Sequence, residues 1–359
     1  MSNLRTRRNI LRALGASAAS APFASSLFAQ GACQNGYNTP RCPMTKELAT
    51  APIKPLFAPT GWKTAALEHI TFQVPDYRKE AAFYIALMNW KLRSDDGKQA
   101  VLDIGDWGSA IFKAAPPEQT TALVVGIGYA IDLGNAPWNA KTVEEELRKR
   151  DLNPVADKDG KGFESFHVKD PDGFDVQICN SNGLVKARKT PPTAKLEVEL
   201  PFEATNWQTV WLDHFSYAAT NYKATVSYFK NLIGWQGTYD EGSQEEVLMG
   251  DVGDALIRGG NPNDPNFGKP PANGKKGAPR NVRINHISFG IQPFDPDAVK
   301  DGLEKRGLRA RIDTGNTGDI HQTAYKSFHT GTPNGYDLQM SCVTKDTRLI
   351  GSVSMQPKQ

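Results

Sequence analysis

Six histidines stand in this 359-residue chain, and four of them fall into two matched pairs. His69 lies in Leu67-Glu68-His69-Ile70-Thr71-Phe72, and His214 in Leu212-Asp213-His214-Phe215-Ser216-Tyr217. His167 lies in Ser165-Phe166-His167-Val168-Lys169-Asp170-Pro171-Asp172-Gly173, and His329 in Ser327-Phe328-His329-Thr330-Gly331-Thr332-Pro333-Asn334-Gly335. An imidazole titrates near neutrality, which suits it to metal ligation or to acid/base work. The competing reading is a histidine hydrogen-bonded inside a cleft or core, and for His69 that reading is the better one. For His329 the alternatives are an acid/base group and a strand histidine facing solvent. His321, in a loop rich in Gly, Thr and Asp, reads as exposed. Asp157-Lys158-Asp159-Gly160-Lys161-Gly162 faintly suggests a calcium loop. It lacks an acid at the fifth position, and Val168 stands where a bidentate Glu belongs, so it reads as a turn. No cysteine pair has zinc-site spacing.

The elements that must position these side chains come from an internal repeat. After each Leu-acid-His segment comes an amphipathic helix with an aromatic pair, Phe83-Tyr84 and Tyr228-Phe229, ending before Trp90 or Trp235. Gly105-Asp106 and Ala110-Ile111-Phe112 then match Gly250-Asp251 and Ala255-Leu256-Ile257, all at an offset of 145 residues. Further on, 125–131 resembles 285–291, and the two long histidine segments match at an offset of 162, a drift that loop insertions explain. Alternating apolar residues such as Ile70, Phe72 and Val74 mark strands, and Val226, Phe229, Leu232 and Ile233 mark a helix. The expectation is an α+β fold of four βαβββ modules in two halves, each half a paired-module domain whose concave faces form a cleft. The boundaries read as an export signal over 1–29, an extended segment over 30–60, a first paired domain over 61–180, a linker over 181–208, a second paired domain over 209–345 and a tail over 346–359. Residues 259–280, rich in Gly, Pro, Asn and Lys, read as a lid-like loop with no counterpart of that length in the first half.

A strand bearing Leu-Asp/Glu-His, followed later by Asp-Pro-Asp-Gly and an apolar strand, resembles the vicinal oxygen chelate superfamily of glyoxalases, bleomycin-resistance proteins and extradiol dioxygenases. The resemblance runs from Leu67 to Met340 and is carried by motifs in the right order, twice over. It implies metal ligands on the first strand of each module and near the module's end. Carried over, these are His214, His286 and Gln339, two imidazoles and an amide where the extradiol pattern has two His and a carboxylate. A neutral amide leaves more charge on the ion, weakening its binding and making it a stronger Lewis acid. The fourth possible position, near Leu256 and Ile257, cannot ligate. His329 takes the place of a Tyr that many extradiol enzymes hold beside the substrate, and is the candidate catalytic residue. The first half keeps His69 and Gln177 but has Gly126 at the middle position, so it is expected to be structural.

The resemblance therefore implies a metal-dependent dioxygenase, lyase or isomerase acting on a small substrate with vicinal oxygens, its divalent ion being Fe, Mn, Zn or Ni. The alternative is a metal-free small-molecule binding protein of the bleomycin-resistance type. Composition adds exclusions. The formal charge is +3, and the first 29 residues hold four arginines and no acid, leaving −1 for the remainder. That is no footprint for nucleic acid. Thr6-Arg7-Arg8-Asn9-Ile10-Leu11-Arg12 and the Ala/Ser run after it resemble a twin-arginine signal, with cleavage after Ala29 and a periplasmic or secreted destination. The run is too polar for a stable membrane anchor. Cys33 and Cys42 are placed to staple the N-terminal segment, whereas Cys179 and Cys342, on apolar strands, read as buried thiols. Oligomeric state is left open.

Overall fold

The computed structural model describes residues 44–182, 192, 194–269, 283–314 and 319–348. The export signal, Cys33 and Cys42, residues 183–191 and 193 of the expected linker and the far part of the 259–280 loop lie outside these. Among the described residues no helix is long and apolar enough to cross a membrane.

Four βαβββ modules follow one another. The first is β1 (Lys63–Val74), α2 (Tyr77–Met88), β2 (Lys91–Asp95), β3 (Gln99–Ile104) and β4 (Gly108–Ala114), preceded by the short α1 (Lys46–Thr50). The second is β5 (Leu123–Asp132), α3 (Ala140–Arg148), β6 (Val155–Lys158), β7 (Glu164–Lys169) and β8 (Asp175–Cys179). The third is β9 (Gln208–Asn221), α4 (Tyr222–Ile233), β10 (Gln236–Asp240), β11 (Gln244–Leu248) and β12 (Gly253–Gly260). The fourth is β13 (Arg283–Gln292), α5 (Pro296–Glu304), β14 (Arg311–Asp313), β15 (Ser327–Gly331) and β16 (Asp337–Ser341). Each half closes into one eight-stranded sheet, ordered β2-β3-β4-β1-β5-β8-β7-β6 and β10-β11-β12-β9-β13-β16-β15-β14. The first strands of paired modules run antiparallel side by side, β1 with β5 and β9 with β13. This is the α+β duplication that the repeat predicts.

The helices start where a side chain can satisfy their first free N–H groups. Asp76, Asn139, Asn221 and Asp295 each accept from the backbone three residues on, at 2.9–3.1 Å. The two long helices end in left-handed residues at matched positions, Asn89 (φ 55°) and Gly234 (φ 70°). Trp90 and Trp235 follow and are buried, as expected at helix ends. They also tie the halves together: Trp90 Nε1 donates to Thr209 Oγ1 at 2.8 Å and Trp235 Nε1 to Thr64 Oγ1 at 2.9 Å. The equivalence of the two bonds reveals a pseudo-twofold relation. Around them one apolar cluster continues from half to half, including Phe72 against Tyr336 and Tyr129 against Trp235.

Candidate functional site

In the second half the candidate residues lie on three neighbouring strands of the sheet, His214 on β9, His286 on β13 and Gln339 on β16. In a regular strand neighbouring side chains point to opposite faces. Asp213 breaks that rule: β9 bulges there relative to both β12 and β13, so that Leu212 and His214 are paired while Asp213 is the extra residue. A bulge re-aims a side chain, and here Asp213 Oδ2 comes within 3.2 Å of His214 Nδ1. A carboxylate only accepts, so the tautomer that suits this contact carries its proton on Nδ1 and its lone pair on Nε2. His214 Nε2 lies 3.2 Å from His286 Nε2, the two rings nearly perpendicular. His286 is held neutral: burial pushes its pKa well down, and His329, His214, Arg258 and Arg311 add positive potential.

Asp213 organises more than one histidine. Its Oδ2 also accepts from Ser288 Oγ and from the Tyr325 hydroxyl, both at 2.9 Å. Tyr325 in turn accepts from Gln339 Nε2 at 3.0 Å, and Ser327 Oγ accepts from the same nitrogen at 2.7 Å. Gln339 is therefore joined to His214 through Tyr325 and Asp213. With its amide nitrogen committed, Gln339 keeps a buried Oε1 that has no hydrogen-bond partner in the chain. Ser216 Oγ, two residues along β9 from His214, is buried and unpartnered as well. Both atoms are open to bonding with a group outside the polypeptide.

His329 is deeply buried, not solvent-facing. Its Nδ1 meets Asp337 Oδ1 at 2.9 Å and its Nε2 meets Asp313 Oδ2 at 3.3 Å. Burial alone would lower its pKa, but Asp337 and Asp313 outweigh that and raise it, favouring the protonated ring. It packs edge-on against His286, with centroids 5.1 Å apart.

The first half repeats this plan position by position. His69 Nδ1 contacts Glu68 beside a bulge at Glu68. His167 Nδ1 meets Asp175 at 2.7 Å and its Nε2 lies 3.6 Å from Asp157. Gln177 Nε2 donates to Ser165 Oγ at 2.6 Å. Gly126 replaces the second imidazole, and an open cavity of about 510 Å³ lies over it.

No family model matches the sequence, and no curated protein matches it. Solved structures do. The Mn(II)-bound glyoxalase from Novosphingobium aromaticivorans aligns with TM-score 0.53 at 14% identity, over 80% of this chain and 86% of that one. The 2,3-dioxygenase LapB from Pseudomonas sp. KL28 gives 0.53 at 15%, over 78% and 92%. Homoprotocatechuate 2,3-dioxygenase from Brevibacterium fuscum, in an anaerobic complex with 3,4-dihydroxyphenylacetate, gives 0.53 at 16%, over 82% and 83%. The chain shares the fold of these glyoxalase and dioxygenase structures.

Within that fold the sequence-derived candidates fall as follows. His214 and His286 come together, and Gln339 joins them through a hydrogen-bond network. His329 lies beside His286, but both its nitrogens are engaged by carboxylates, so no lone pair is left for an ion. Among the described residues no three His, Cys, Asp or Glu side chains form a metal-binding group, which leaves Gln339 as the third donor if there is one. His69 sits with Glu68, and His321 is exposed with Asp297 3.6 Å away. Cys179 is a buried thiol, whereas Cys342 falls just beyond β16 and is only partly buried. Asp159 accepts from the Lys161 and Phe163 amides, so the calcium-like segment is a turn. The described part of the long loop docks on α1 through Asn261 and Asn263. The first half, expected to be structural, carries an open polar cavity lined in part by Gly126. Asp213, Asp313, Asp337 and Tyr325 went unread in the sequence. The signal for Asp337 was available, since Gly173-Phe174-Asp175 and Gly335-Tyr336-Asp337 repeat the acid two residues after the turn glycine.

Proposed function

We propose that this protein is an exported, metal-dependent enzyme acting on a small substrate with vicinal oxygens, with its active site on the second-half sheet. The observation that carries the reading is the 3.2 Å separation of His214 Nε2 and His286 Nε2. Two nitrogens each about 2.0–2.2 Å from one ion stand roughly 2.8–3.6 Å apart at tetrahedral or octahedral angles. The buried, unpartnered Oε1 of Gln339 fits a third donor, so the donor set suits a divalent ion held by His214, His286 and Gln339. Such an ion, when bound, supplies Lewis acidity toward a chelating pair of substrate oxygens. The chain's own part is to present neutral imidazoles, with Asp213 favouring the Nδ1-protonated tautomer of His214 and burial keeping His286 unprotonated. His329 holds a proton at Nε2, the nitrogen with the longer carboxylate contact, and is the group to deliver it to a substrate oxygen. Arg258 and Arg311 add positive potential at His286, which helps keep it unprotonated.

The second reading, a metal-free binding protein, is favoured by the lack of a carboxylate to complete the ligand set among the described residues. Elemental analysis of protein purified from the exporting host decides between them. About one equivalent of a transition metal is expected, and His286→Ala is expected to weaken metal binding by more than about a hundredfold, above what losing an outer-shell partner costs. His69→Ala leaves it unchanged. Metal-free protein that binds no divalent ion at micromolar concentrations would leave the binding-protein reading. Export is tested separately: Arg7→Lys with Arg8→Lys is expected to trap the precursor in the cytoplasm, and unimpaired export of that variant removes the twin-arginine reading.

A further inference from the structure

Gln339 stands in a row of cross-strand partners. His214 on β9 is paired with Ser288 on β13, Ser288 with Gln339 on β16, and Gln339 with His329 on β15. An amide side chain carries an acceptor oxygen on one side and a donor nitrogen on the other, and a half-turn about its last bond exchanges the two. Its neighbours must decide which one meets a guest. Two hydroxyls touch it, Tyr325 Oη at 3.0 Å and Ser327 Oγ at 2.7 Å. Each hydroxyl has a single proton to give. Tyr325 gives its proton to Asp213 Oδ2 at 2.9 Å, because a carboxylate only accepts, and Ser327 gives its proton to the Asp313 carbonyl at 2.7 Å. Toward Gln339 both hydroxyls can only accept. The amide must therefore face them with its NH2, and Oε1 is turned away from them, buried and without a hydrogen-bond partner in the chain. The flipped amide would set one oxygen against two others with no proton between them.

The first half serves as an internal control. Ser165 Oγ there accepts from Gln177 Nε2 at 2.6 Å and gives its proton to the Asp157 carbonyl at 3.2 Å. Phe163 stands at the position of Tyr325, however, and Gly128 at the position of Ser288. The two hydroxyls that reach Asp213 have no counterparts, so the path from the amide to the Leu-acid-His segment belongs to the half that has two facing imidazoles. We propose that Tyr325 is a positioning residue. With Ser327 it clamps the Gln339 amide so that Oε1 is turned toward the His214–His286 pair, and through Asp213 it couples that orientation to His214. The proposal rests on the metal-binding reading of this site. Tyr325 itself touches no ion and acts only through the direction in which it passes its proton.

Two measurements on the full chain separate the clamp from its use. Side-chain amide exchange followed by NMR in EDTA reads the clamp without a metal, the Gln339 signals being those lost in Gln339→Glu. Slow exchange is expected in the wild type, and Tyr325→Phe is expected to quicken it by about tenfold, the net worth of one hydrogen bond. Titration with Mn(II) or Zn(II) against a chelator reads the use. Tyr325→Phe is expected to weaken binding by about tenfold, as losing a group that orients a metal ligand does. In the Gln339→Glu background the same substitution is expected to cost less than about twofold, because the two oxygens of a carboxylate are equivalent and have no orientation to lose. Ser288→Ala takes a bond from Asp213 without touching the amide, and its cost should be the same in both backgrounds. The proposal is overturned if Tyr325→Phe leaves amide exchange unchanged or leaves metal affinity unchanged. It is overturned too by a Tyr325→Phe loss equal in both backgrounds, since Tyr325 would then act through Asp213 alone. A wild-type chain that binds no divalent ion overturns the metal-binding reading and with it the ligand role of Oε1, while amide exchange that quickens in Tyr325→Phe would still establish the clamp.

Discussion

Gln339 is the residue on which the two functional readings diverge. Its nitrogen is tied to Ser327 and Tyr325, both hydroxyls, and a hydroxyl donates as readily as it accepts. Both protons are already spent, Tyr325's on Asp213 and Ser327's on the Asp313 carbonyl, so glutamate in place of Gln339 would add a negative charge next to the imidazole pair and require a hydroxyl to turn toward it. Gln339→Glu is expected to tighten binding of a divalent ion by about tenfold or more, since a charge at ligand distance inside a protein is weakly screened. Titration with Mn(II) or Zn(II), followed by competition with a chelator, measures this directly. In a metal-free pocket the same substitution would instead bury an uncompensated carboxylate and lower stability with no gain in metal affinity. The candidate ligands came from the resemblance, which implies ligands on the first strand of each module and near the module's end. The carboxylates that tune them were not legible in the sequence. Asp213 acts through a bulge that local sequence does not announce, and Asp313 lies on a three-residue strand too short to carry a periodic pattern.

At the level of elements, the turns that close one half anchor the other. Asp170, in the Asp-Pro-Asp-Gly turn after β7, accepts from the Tyr217 hydroxyl on β9, and Asp172 accepts from the Thr220 amide at 2.9 Å. Asn334, in the matching turn, bonds to Asp76 and Glu80 at the start of α2. The sequence marks these motifs as turns, but their role as docking points depends on how the halves pack, which no local pattern encodes. Burial raises the Asp170 pKa to about 6, against the bonds from Tyr217 and two backbone amides. The sign of the linkage follows: the folded state holds this proton more tightly than the unfolded chain. The associated stability is full below the ordinary carboxylate range and is lost as pH rises through about 6, on the order of 3 kcal/mol in total. Asp170→Asn, neutral at every pH, should lack this component. The difference in urea-unfolding free energy between wild type and variant is therefore expected to change between about pH 4 and about pH 7 in that direction. A difference independent of pH would mean that Asp170 titrates normally.

For the whole molecule, the repeat predicts two halves but does not say whether each is self-sufficient. The four-module plan follows from the apolar periodicity and from the repeat at offsets of 145 and 162 residues, whereas the strand order is seen only in the structure. The face by which the halves meet follows from neither pattern, because a buried aromatic reads the same whether it packs at home or across an interface. Trp90 and Trp235 are the clearest case. Each stacks within its own half, on Tyr84 or on Phe229. Each also packs edge-on against the other half, on Phe289 or on Tyr129. The indole N–H bonds to Thr209 and Thr64 complete a shared core, and separating the halves would leave both donors without their partners. Large buried aromatics exposed this way are worth several kcal/mol each, comparable to the whole stability of an ordinary domain. The full chain should therefore unfold in one cooperative urea transition. Residues 61–180 expressed alone should bind hydrophobic dyes and lack near-ultraviolet circular dichroism, whereas a chain cleaved within 181–208 should remain a single species on size exclusion. A first half that unfolds cooperatively by itself, with the native aromatic signal of Trp90 intact, would show that the shared core is an interface between independent domains.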